Sequence, residues 1–245
     1  MARMVVENFA QDNGCAVVEI GAGTGALTQA LLDAGLRVTA LEIDSRLIDI
    51  LQSRDELRAA KFVHADALNF DYGTLARDET WAVAGNLPYN IATPLISKFA
   101  RMARRPSSLV VMVQKDVAER FLASPGTTAY GSLTVAVNYW FKIARGFLLR
   151  PAAFYPRPKV DSAVIRLTRH PTPPVMTRDV DFMLQVSRAA FAYRRKTLVN
   201  SLVLALGLNR ERIQEALLAT GLHTEIRGEQ LSLAQFAALA DRMAG

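Results

Sequence analysis

The sequence predicts an α/β domain of alternating strands and helices, followed by a small all-helical C-terminal domain. Three observations support this fold class. A glycine-rich turn at residues 19–25 lies between an apolar run and a segment with helical spacing. Further short apolar runs recur along residues 38–114, separated by helix-compatible segments, as in open α/β sheets. Beyond the proline-rich tract at residues 171–174, the apolar spacing is helical throughout.

The individual elements follow from the same patterns. Strands are predicted over residues 16–18, 38–41, 61–64, 81–85 and 108–114, two more within 131–149, and an edge strand over 161–168. Helices are predicted over residues 1–9, 26–32, 47–51, 92–102 and 116–122, then over 180–192, 196–205, 210–220 and 231–243. We place the α/β domain at residues 1–170 and the helical domain at residues 175–245, joined by the proline-rich linker.

The glycine turn has the spacing G-x-G-x-G, formed by Gly21, Gly23 and Gly25. Dehydrogenases use the longer spacing G-x-G-x-x-G. The shorter spacing resembles the first motif of S-adenosylmethionine-dependent methyltransferases, which implies a Rossmann-like domain of that class. Glu19, just ahead of the turn, is expected to hold the ammonium of this cofactor. Glu42 ends the second strand, where a carboxylate binds ribose hydroxyls; an ordinary tight loop is the alternative for the turn alone.

Asp66 follows the third predicted strand and therefore lies at the carboxyl edge of the sheet. Ligands of open α/β sheets bind at this edge. We expect the Asp66 carboxylate to accept a hydrogen bond from the exocyclic amine of the cofactor's adenine. The alternative is that it caps a turn or helix.

The tetrapeptide Asn86-Leu87-Pro88-Tyr89 follows the fourth strand and is the most specific motif. An exocyclic amine is a poor nucleophile, because its lone pair is delocalised into the ring. Acceptors at the Asn86 side chain and at a carbonyl near Leu87 and Pro88 would stabilise the charge that develops on methylation, while Pro88 fixes the backbone. Tyr89 would stack on the target base, and Phe154 would cover its other face. An ordinary strand-to-helix turn is the alternative.

Charge is distributed unevenly along the chain. Residues 1–97 contain 7 Lys or Arg and 13 Asp or Glu, whereas residues 98–169 contain 13 and 3. Net charge of the whole chain is +6. A strongly basic segment beside an acidic cofactor-binding half predicts a polyanionic partner, most simply nucleic acid; a solvated basic surface is the alternative.

Composition excludes several classes of protein. The 245 residues are 51% hydrophobic, enough for a full core. The single cysteine, Cys15, excludes an intrachain disulfide and fits a reducing compartment. The three histidines lack metal-ligand spacing, so no metal is expected. The sequence has neither a signal segment nor an apolar run of about 20 residues, and we expect a cytoplasmic protein, most simply a monomer.

Taken together, these motifs resemble the ribosomal RNA adenine N6,N6-dimethyltransferases, and more narrowly the bacterial branch that modifies the small-subunit (16S) RNA. The resemblance covers most of the chain, from Val17 to Leu233. Its carriers are residues 18–25, 41–44, 66–68, 86–91, 113–115, 118–120, 130–133, 154–162, Phe191 and 194–198.

The resemblance implies the cofactor, the substrate and the site residues. The cofactor would be S-adenosylmethionine, and the substrate two adjacent adenines in the 3′-terminal hairpin of 16S rRNA within an immature small subunit. The implied cofactor-binding residues are Glu19, Gly21, Gly23, Gly25, Glu42, Ile43, Asp66, Ala67 and Asn86. Catalytic positions are Asn86, Leu87, Pro88, Tyr89 and Phe154. The expected RNA-binding residues are Lys115, Arg120, Arg157, Lys159, Arg194, Arg195 and Lys196, which would meet phosphates; for the last three, a solvated helix face is the alternative.

The chain departs from the family pattern at its N-terminus. The family carries a Gly-Gln-(Asn/His)-Phe-Leu motif upstream of the glycine turn, whereas Met1 lies in the helix that follows that motif. We therefore expect a truncated form.

Other functions remain open. They are a non-catalytic small-subunit assembly factor, a large-subunit rRNA adenine methyltransferase, and a DNA adenine or protein glutamine methyltransferase. The residue Leu87 disfavours both the DNA and the protein methyltransferase, and the chain is too short for a large DNA-recognition domain. A nicotinamide dehydrogenase is disfavoured by the glycine spacing.

Overall fold

The computed structural model describes residues 16–74, 80–154 and 157–244. Seven strands form one mixed sheet: β1 (Ala16–Ile20), β2 (Arg37–Glu42), β3 (Lys61–His64), β4 (Trp81–Asn86), β5 (Ser108–Gln114), β6 (Phe141–Leu149) and β7 (Ser162–Arg169). Their order is β3-β2-β1-β4-β5-β7-β6. The first five strands pair in parallel, and β7 runs antiparallel to β5.

The parallel strands are apolar because helices cover the sheet. β4 and β5 are buried almost along their whole length. β1 pairs with β2 on one side and with β4 on the other, so the strand order reverses at this point. Ligands of open α/β sheets bind at the carboxyl ends of the strands beside such a reversal.

Nine described helices accompany the strands. They are α1 (Ala26–Asp33), α2 (Ser45–Gln52), α3 (Ala92–Arg101), α4 (Lys115–Phe121), α5 (Ser132–Trp140), α6 (Val180–Ala192), α7 (Leu198–Leu206), α8 (Arg210–Ala219) and α9 (Leu233–Ala244). Side-chain caps begin five of them, with Asp44, Asp179, Thr197, Asn209 and Ser232 each accepting a backbone N–H bond. Gly207 ends α7 in the left-handed conformation. The helix predicted over residues 1–9 lies outside the described residues.

Two strand predictions were wrong. Residues 131–149 hold one helix, α5, and one strand, β6, instead of two strands. The apolar, β-branched run at 133–137 favours a strand locally. It forms a helix instead, whose first turn is closed by Thr134 and whose Val135 and Ala136 pack on the cluster of the second unit. Residues 161–168 were expected at a sheet edge, yet β7 lies between β5 and β6. Its first four residues are buried, whereas β6 carries the exposed edge.

The described residues form two compact units. One comprises residues 16–118 and 142–169, and the other residues 119–141 and 170–244. An apolar cluster including Leu31, Ala84 and Val110 lies in the first, and a cluster including Met183 and Phe236 in the second. Contacts therefore group residues 119–141 with the C-terminal helices. The predicted domain boundary near residue 170 remains a prediction.

Candidate active site

The glycine turn connects β1 to α1. Gly21 and Gly23 have φ values of 73° and 54°, a region that residues with a Cβ rarely adopt. The Gly21 N–H donates to the Leu41 carbonyl at 2.8 Å, which fixes the turn against the end of β2. A Cβ built on either glycine would meet no atom within 4 Å. The glycines are therefore required for backbone conformation, and the space beside them is open.

Glu42 holds this turn from the neighbouring strand. Its Oε2 accepts the Gly23 N–H at 3.0 Å, and its Oε1 accepts the N–H groups of Ile43 and Asp44 at 2.9 and 3.1 Å. A carboxylate has about four acceptor positions. Three of them are used by the backbone, so Glu42 retains capacity for one hydroxyl donor.

Glu19 lies under the turn and is 1% exposed. Its Oε2 accepts the Thr28 hydroxyl at 2.6 Å, while its Oε1 has no partner among the described residues. Burial raises the pKa of this carboxyl from 4.5 to about 7; the bond from Thr28 opposes the rise, and the charge of Glu42 adds to it. A buried, unpaired carboxylate oxygen fits a cationic ligand group such as an ammonium.

A cleft of about 190 Å³ opens at the carboxyl ends of β1, β2 and β4. It brings together five of the predicted cofactor-binding residues and Pro88. Ile43 is 67% exposed and offers the cleft an apolar surface. The lining residues are Ile20, Gly21, Leu41, Glu42, Ile43, Ala65, Asp66, Ala67, Pro88, Asn90 and Ile91.

Asp66 caps the turn that follows β3. Its Oδ1 accepts the Leu68 N–H at 2.9 Å, and its Oδ2 accepts the Asn69 side-chain amide. The capping alternative is therefore present in the structure. Asp66 also lines the cleft, and its contact with adenine remains a prediction.

The tetrapeptide at residues 86–89 joins β4 to α3. Asn86 and Pro88 are exposed, whereas Leu87 is buried and its N–H donates to the Met112 carbonyl at 3.0 Å. The Pro88 carbonyl accepts the N–H groups of Ile91 and Ala92 at 3.0 and 3.1 Å. Since the first turn of α3 already uses the Pro88 carbonyl, the carbonyl of Leu87 is the better candidate acceptor for a substrate amine.

The two predicted stacking residues have different surroundings. Tyr89 is half-buried, and its hydroxyl is hydrogen-bonded to the Ser162 hydroxyl at 3.0 Å. Phe154 is half-buried against the apolar cluster of the first unit, and its N–H donates to the Pro151 carbonyl. Contact of either ring with a base remains a prediction.

Ser162 was missed as a site residue. Its position at the end of the 154–162 motif was the available sequence signal.

The predicted RNA-binding residues are exposed in both compact units. The guanidinium of Arg194 donates to the carbonyls of Thr128 and Tyr130, which gives it a structural role within the second unit. RNA contacts at the set remain a prediction; Lys115, Arg157 and Lys159 lie in the first unit, and Arg120, Arg194, Arg195 and Lys196 in the second.

The described residues contain no cluster of three or more His, Cys, Asp or Glu side chains suited to a metal ion. Among the described helices, none combines the length and apolar character that a bilayer span requires.

Sequence comparisons give a consistent result. The family model described as "Ribosomal RNA adenine dimethylase" matches residues 3–244. The ribosomal RNA small subunit methyltransferase A of Geobacter metallireducens is 42% identical over 93% of this chain and 84% of its own length. The protein of the same name from Geobacillus thermodenitrificans is 40% identical over 98% of this chain and 85% of its own length.

Solved structures support the fold. A dimethyladenosine transferase from Plasmodium falciparum matches with a TM-score of 0.75 at 24% identity, covering 96% of this chain and 94% of the other. The 23S rRNA methyltransferase ErmE matches with a TM-score of 0.74 at 25% identity, covering 99% and 98%. The predicted Rossmann-like methyltransferase fold with a helical C-terminal region is confirmed.

Proposed function

The chain belongs to the ribosomal RNA adenine dimethylase family, and we propose that it dimethylates the N6 amino groups of two adjacent adenines in the 3′-terminal hairpin of 16S rRNA. It is an S-adenosylmethionine-dependent rRNA adenine dimethyltransferase of the small subunit. The particular adenines and the immature subunit as substrate belong to the proposal. The observation that carries it is the position of Asn86-Leu-Pro-Tyr89 beside the cleft that Pro88 lines.

The residues present fit the cofactor. S-adenosylmethionine supplies an activated methyl group on a sulfonium. The unpaired Oε1 of Glu19 accepts its ammonium, and the remaining acceptor position of Glu42 takes a ribose hydroxyl. Ile43 and Ala67 supply apolar contacts for the adenine, and Asp66 accepts from its amine. Gly21 and Gly23 allow the backbone to approach the ligand. Gly25 differs, because a Cβ at this position would lie 2.6 Å from Leu57 Cδ1 and 2.8 Å from Leu51 Cδ2 in the apolar cluster.

Asn86 and Leu87 act on the target adenine. The Asn86 side-chain oxygen and the Leu87 carbonyl accept the two N–H bonds of the amine, which favours a tetrahedral nitrogen with its lone pair directed at the methyl group. Both acceptors stabilise positive charge that develops only during transfer, so they bind the transition state better than the ground state. Once methylated, the nitrogen is acidic and loses its proton to water, so no side chain has to act as a general base.

Tyr89 and Phe154 hold the base after it leaves its stack. The cost of extruding a base is a few kcal/mol, and stacking on an aromatic ring contributes about 1–3 kcal/mol per base. The exposed cations at residues 115, 120, 157, 159 and 194–196 bind phosphates of the surrounding RNA. We further propose that the protein acts as a monomer in the cytoplasm, where immature subunits are found.

The test is methyl transfer from labelled S-adenosylmethionine to undermethylated small subunits, with dimethyladenosine as the product measured. Asn86→Ala should abolish incorporation even at saturating S-adenosylmethionine, where a weaker affinity for the cofactor alone would not lower the rate. Gln52→Ala is the matched control, because it removes an exposed amide on α2. Equal incorporation by Asn86→Ala and the parent chain would contradict the proposal.

Two alternatives are outcomes of the same experiment. The similarity to ErmE makes large-subunit RNA the second candidate substrate, so undermethylated large subunits are assayed in parallel. Incorporation only there would replace the proposed substrate. Retained binding to small subunits without incorporation by the parent chain would identify a non-catalytic assembly factor.

A further inference from the structure

Lys98 connects two parts of the first unit that are distant in sequence. It lies on α3, and its Nζ donates to the carbonyls of Leu68 and Phe70, each at 2.7 Å. Both carbonyls belong to the segment that follows β3, which starts at the cleft residues Ala65, Asp66 and Ala67. The Lys98 ammonium thus binds two carbonyls of this segment and attaches the segment to α3.

Tyr72 lies at the far end of the same segment and holds its start, at Ala67. Its hydroxyl donates to the Ala67 carbonyl at 2.8 Å, and its ring is 2% exposed. The ring stacks on Trp81 at 5.8 Å and meets Phe99 edge-on at 4.9 Å. Lys98 Nζ lies 5.0 Å from the centre of the Tyr72 ring, within cation–π range. Lys98 and Tyr72 therefore form one anchor for the segment, with Tyr72 rooted in the core.

The helix that carries Lys98 begins at the opposite wall of the cleft. Pro88, Asn90 and Ile91 line that wall, and the Pro88 carbonyl accepts the first N–H bonds of α3. Lys98 lies about two helical turns further on. A single rigid helix thus joins both walls, one through its first turn and the other through the lysine.

We propose that Lys98 is a positioning residue for the cofactor, which sets the distance between the Ala65–Ala67 wall and the Pro88–Ile91 wall before S-adenosylmethionine binds. This inference rests on the proposed function, because it assigns a ligand to the cleft. Lys98 acts through the backbone of residues 66–70 and touches neither the cofactor nor the adenine. Without it, the free protein samples a wider range of wall separations, and ordering them on binding lowers affinity.

The experiment is calorimetric titration of the folded protein with S-adenosylmethionine, together with steady-state kinetics on small subunits. Lys98→Met keeps the apolar stem and removes the donors. It should raise the Kd and KM for the cofactor about tenfold and leave the KM for the subunit within about twofold. Lys98→Arg, which can reach both carbonyls, should restore most of the affinity.

Arg101→Met is the matched control. Arg101 is an exposed cation in the last turn of the same helix, and its removal should leave the Kd for the cofactor unchanged. Tyr72→Phe, which deletes only the bond to Ala67, should weaken cofactor binding in the same direction as Lys98→Met. All variants are titrated at a temperature where each retains its folded circular dichroism spectrum.

The outcomes separate this inference from the proposed function. If the parent chain binds no S-adenosylmethionine, the proposed function fails. If the parent binds and Lys98→Met binds equally well, the function stands and the positioning role of Lys98 is refuted. Equal losses in Lys98→Met and Arg101→Met would likewise refute it, because they would reflect only loss of a cation from α3.

Discussion

The hydroxyl of Tyr89 is hydrogen-bonded to the hydroxyl of Ser162, 73 residues away in sequence, at 3.0 Å. Ser162 is 1% exposed at the start of β7 and pairs with Gln114 of β5. The backbone around it is therefore fixed, and its hydroxyl restricts the Tyr89 ring. The antiparallel part of the sheet, which lies beyond the cofactor cleft, thus helps to place the side chain proposed to stack on the target adenine.

Ser162→Ala should lower kcat on small subunits about three- to tenfold and leave the Kd for the cofactor unchanged, because the Tyr89 ring loses its only described hydroxyl partner. Tyr89→Phe removes the same bond from the other side. The double variant should therefore be no slower than the worse single variant. Single-turnover kinetics measure the rate of methyl transfer in the three variants. If the loss of rate in the double variant equalled the product of the two single losses, the two residues would act independently.

Cofactor affinity should depend on pH through Glu19. In the proposed function the ionised carboxylate attracts the cofactor's ammonium, and burial raises the pKa of this carboxyl to about 7. Affinity should therefore fall about 25-fold between pH 7.5 and pH 5.5, as the carboxylate takes up a proton. Titration calorimetry across this range measures the effect. Glu19→Gln should bind more weakly at pH 7.5 and show a nearly flat profile; a parent profile as flat as that of the variant would exclude Glu19 from cofactor recognition.

The same carboxylate should reduce stability at high pH in the cofactor-free protein. Its pKa is about 7 when folded and 4.5 when exposed, so between these values the folded chain retains a proton that the unfolded chain has lost. Stability contributed by this group therefore declines as pH rises from about 4.5 to 7 and is constant above.

Glu19→Gln removes this dependence. Relative to the parent, the free energy of unfolding of the variant should increase by about 2 kcal/mol between pH 5 and pH 8. Urea unfolding followed by circular dichroism measures the difference, and a difference that is independent of pH would contradict the raised pKa.

Gly85 should tolerate no side chain. It pairs with Ile20 between β4 and β1, and a Cβ at this position would lie 2.6 Å from the Ile20 carbonyl oxygen. Gly85→Ala should therefore cost about 1–3 kcal/mol of stability and reduce activity by moving Asn86, the next residue. Gly73→Ala is the control, since a Cβ there meets mainly the flexible Asp71 side chain. Thermal unfolding of the two variants measures the difference in stability. Equal melting temperatures would show that β1 and β4 can move apart to admit the Cβ without a cost in stability.

Local patterns predicted the part of the site whose residues lie directly at the ends of parallel strands. The glycine turn, Glu42 and Asp66 meet in one cleft because parallel strands end at the same edge of the sheet. Their positions at the ends of predicted strands were therefore enough to place them together. Asn86 was located for the same reason. The contacts that hold these groups in place were not predictable: Lys98 reaches Leu68 across 30 residues, and Ser162 reaches Tyr89 across 73. Neither contact leaves a periodic signal.

The errors in the fold have the same origin. Residues 133–137 carry strand-favouring side chains, but tertiary packing against the helical cluster selects α5. The position of β7 inside the sheet depends on β6 folding back beside it, which local sequence does not encode.

The segment 86–91 serves both ligands of the proposed reaction. Pro88, Asn90 and Ile91 line the cofactor cleft, while Asn86 and Tyr89 are directed to the adenine by the proposal, so residues for the two ligands alternate along one short backbone. Any factor by which bound cofactor changes the affinity for RNA must equal the factor by which bound RNA changes the affinity for the cofactor, because thermodynamic coupling is reciprocal. If a compound that fills the cleft changes the affinity of the protein for RNA, RNA must change the affinity of the protein for that compound by the same factor. Measuring how RNA changes the Kd of such a compound would therefore report on substrate docking.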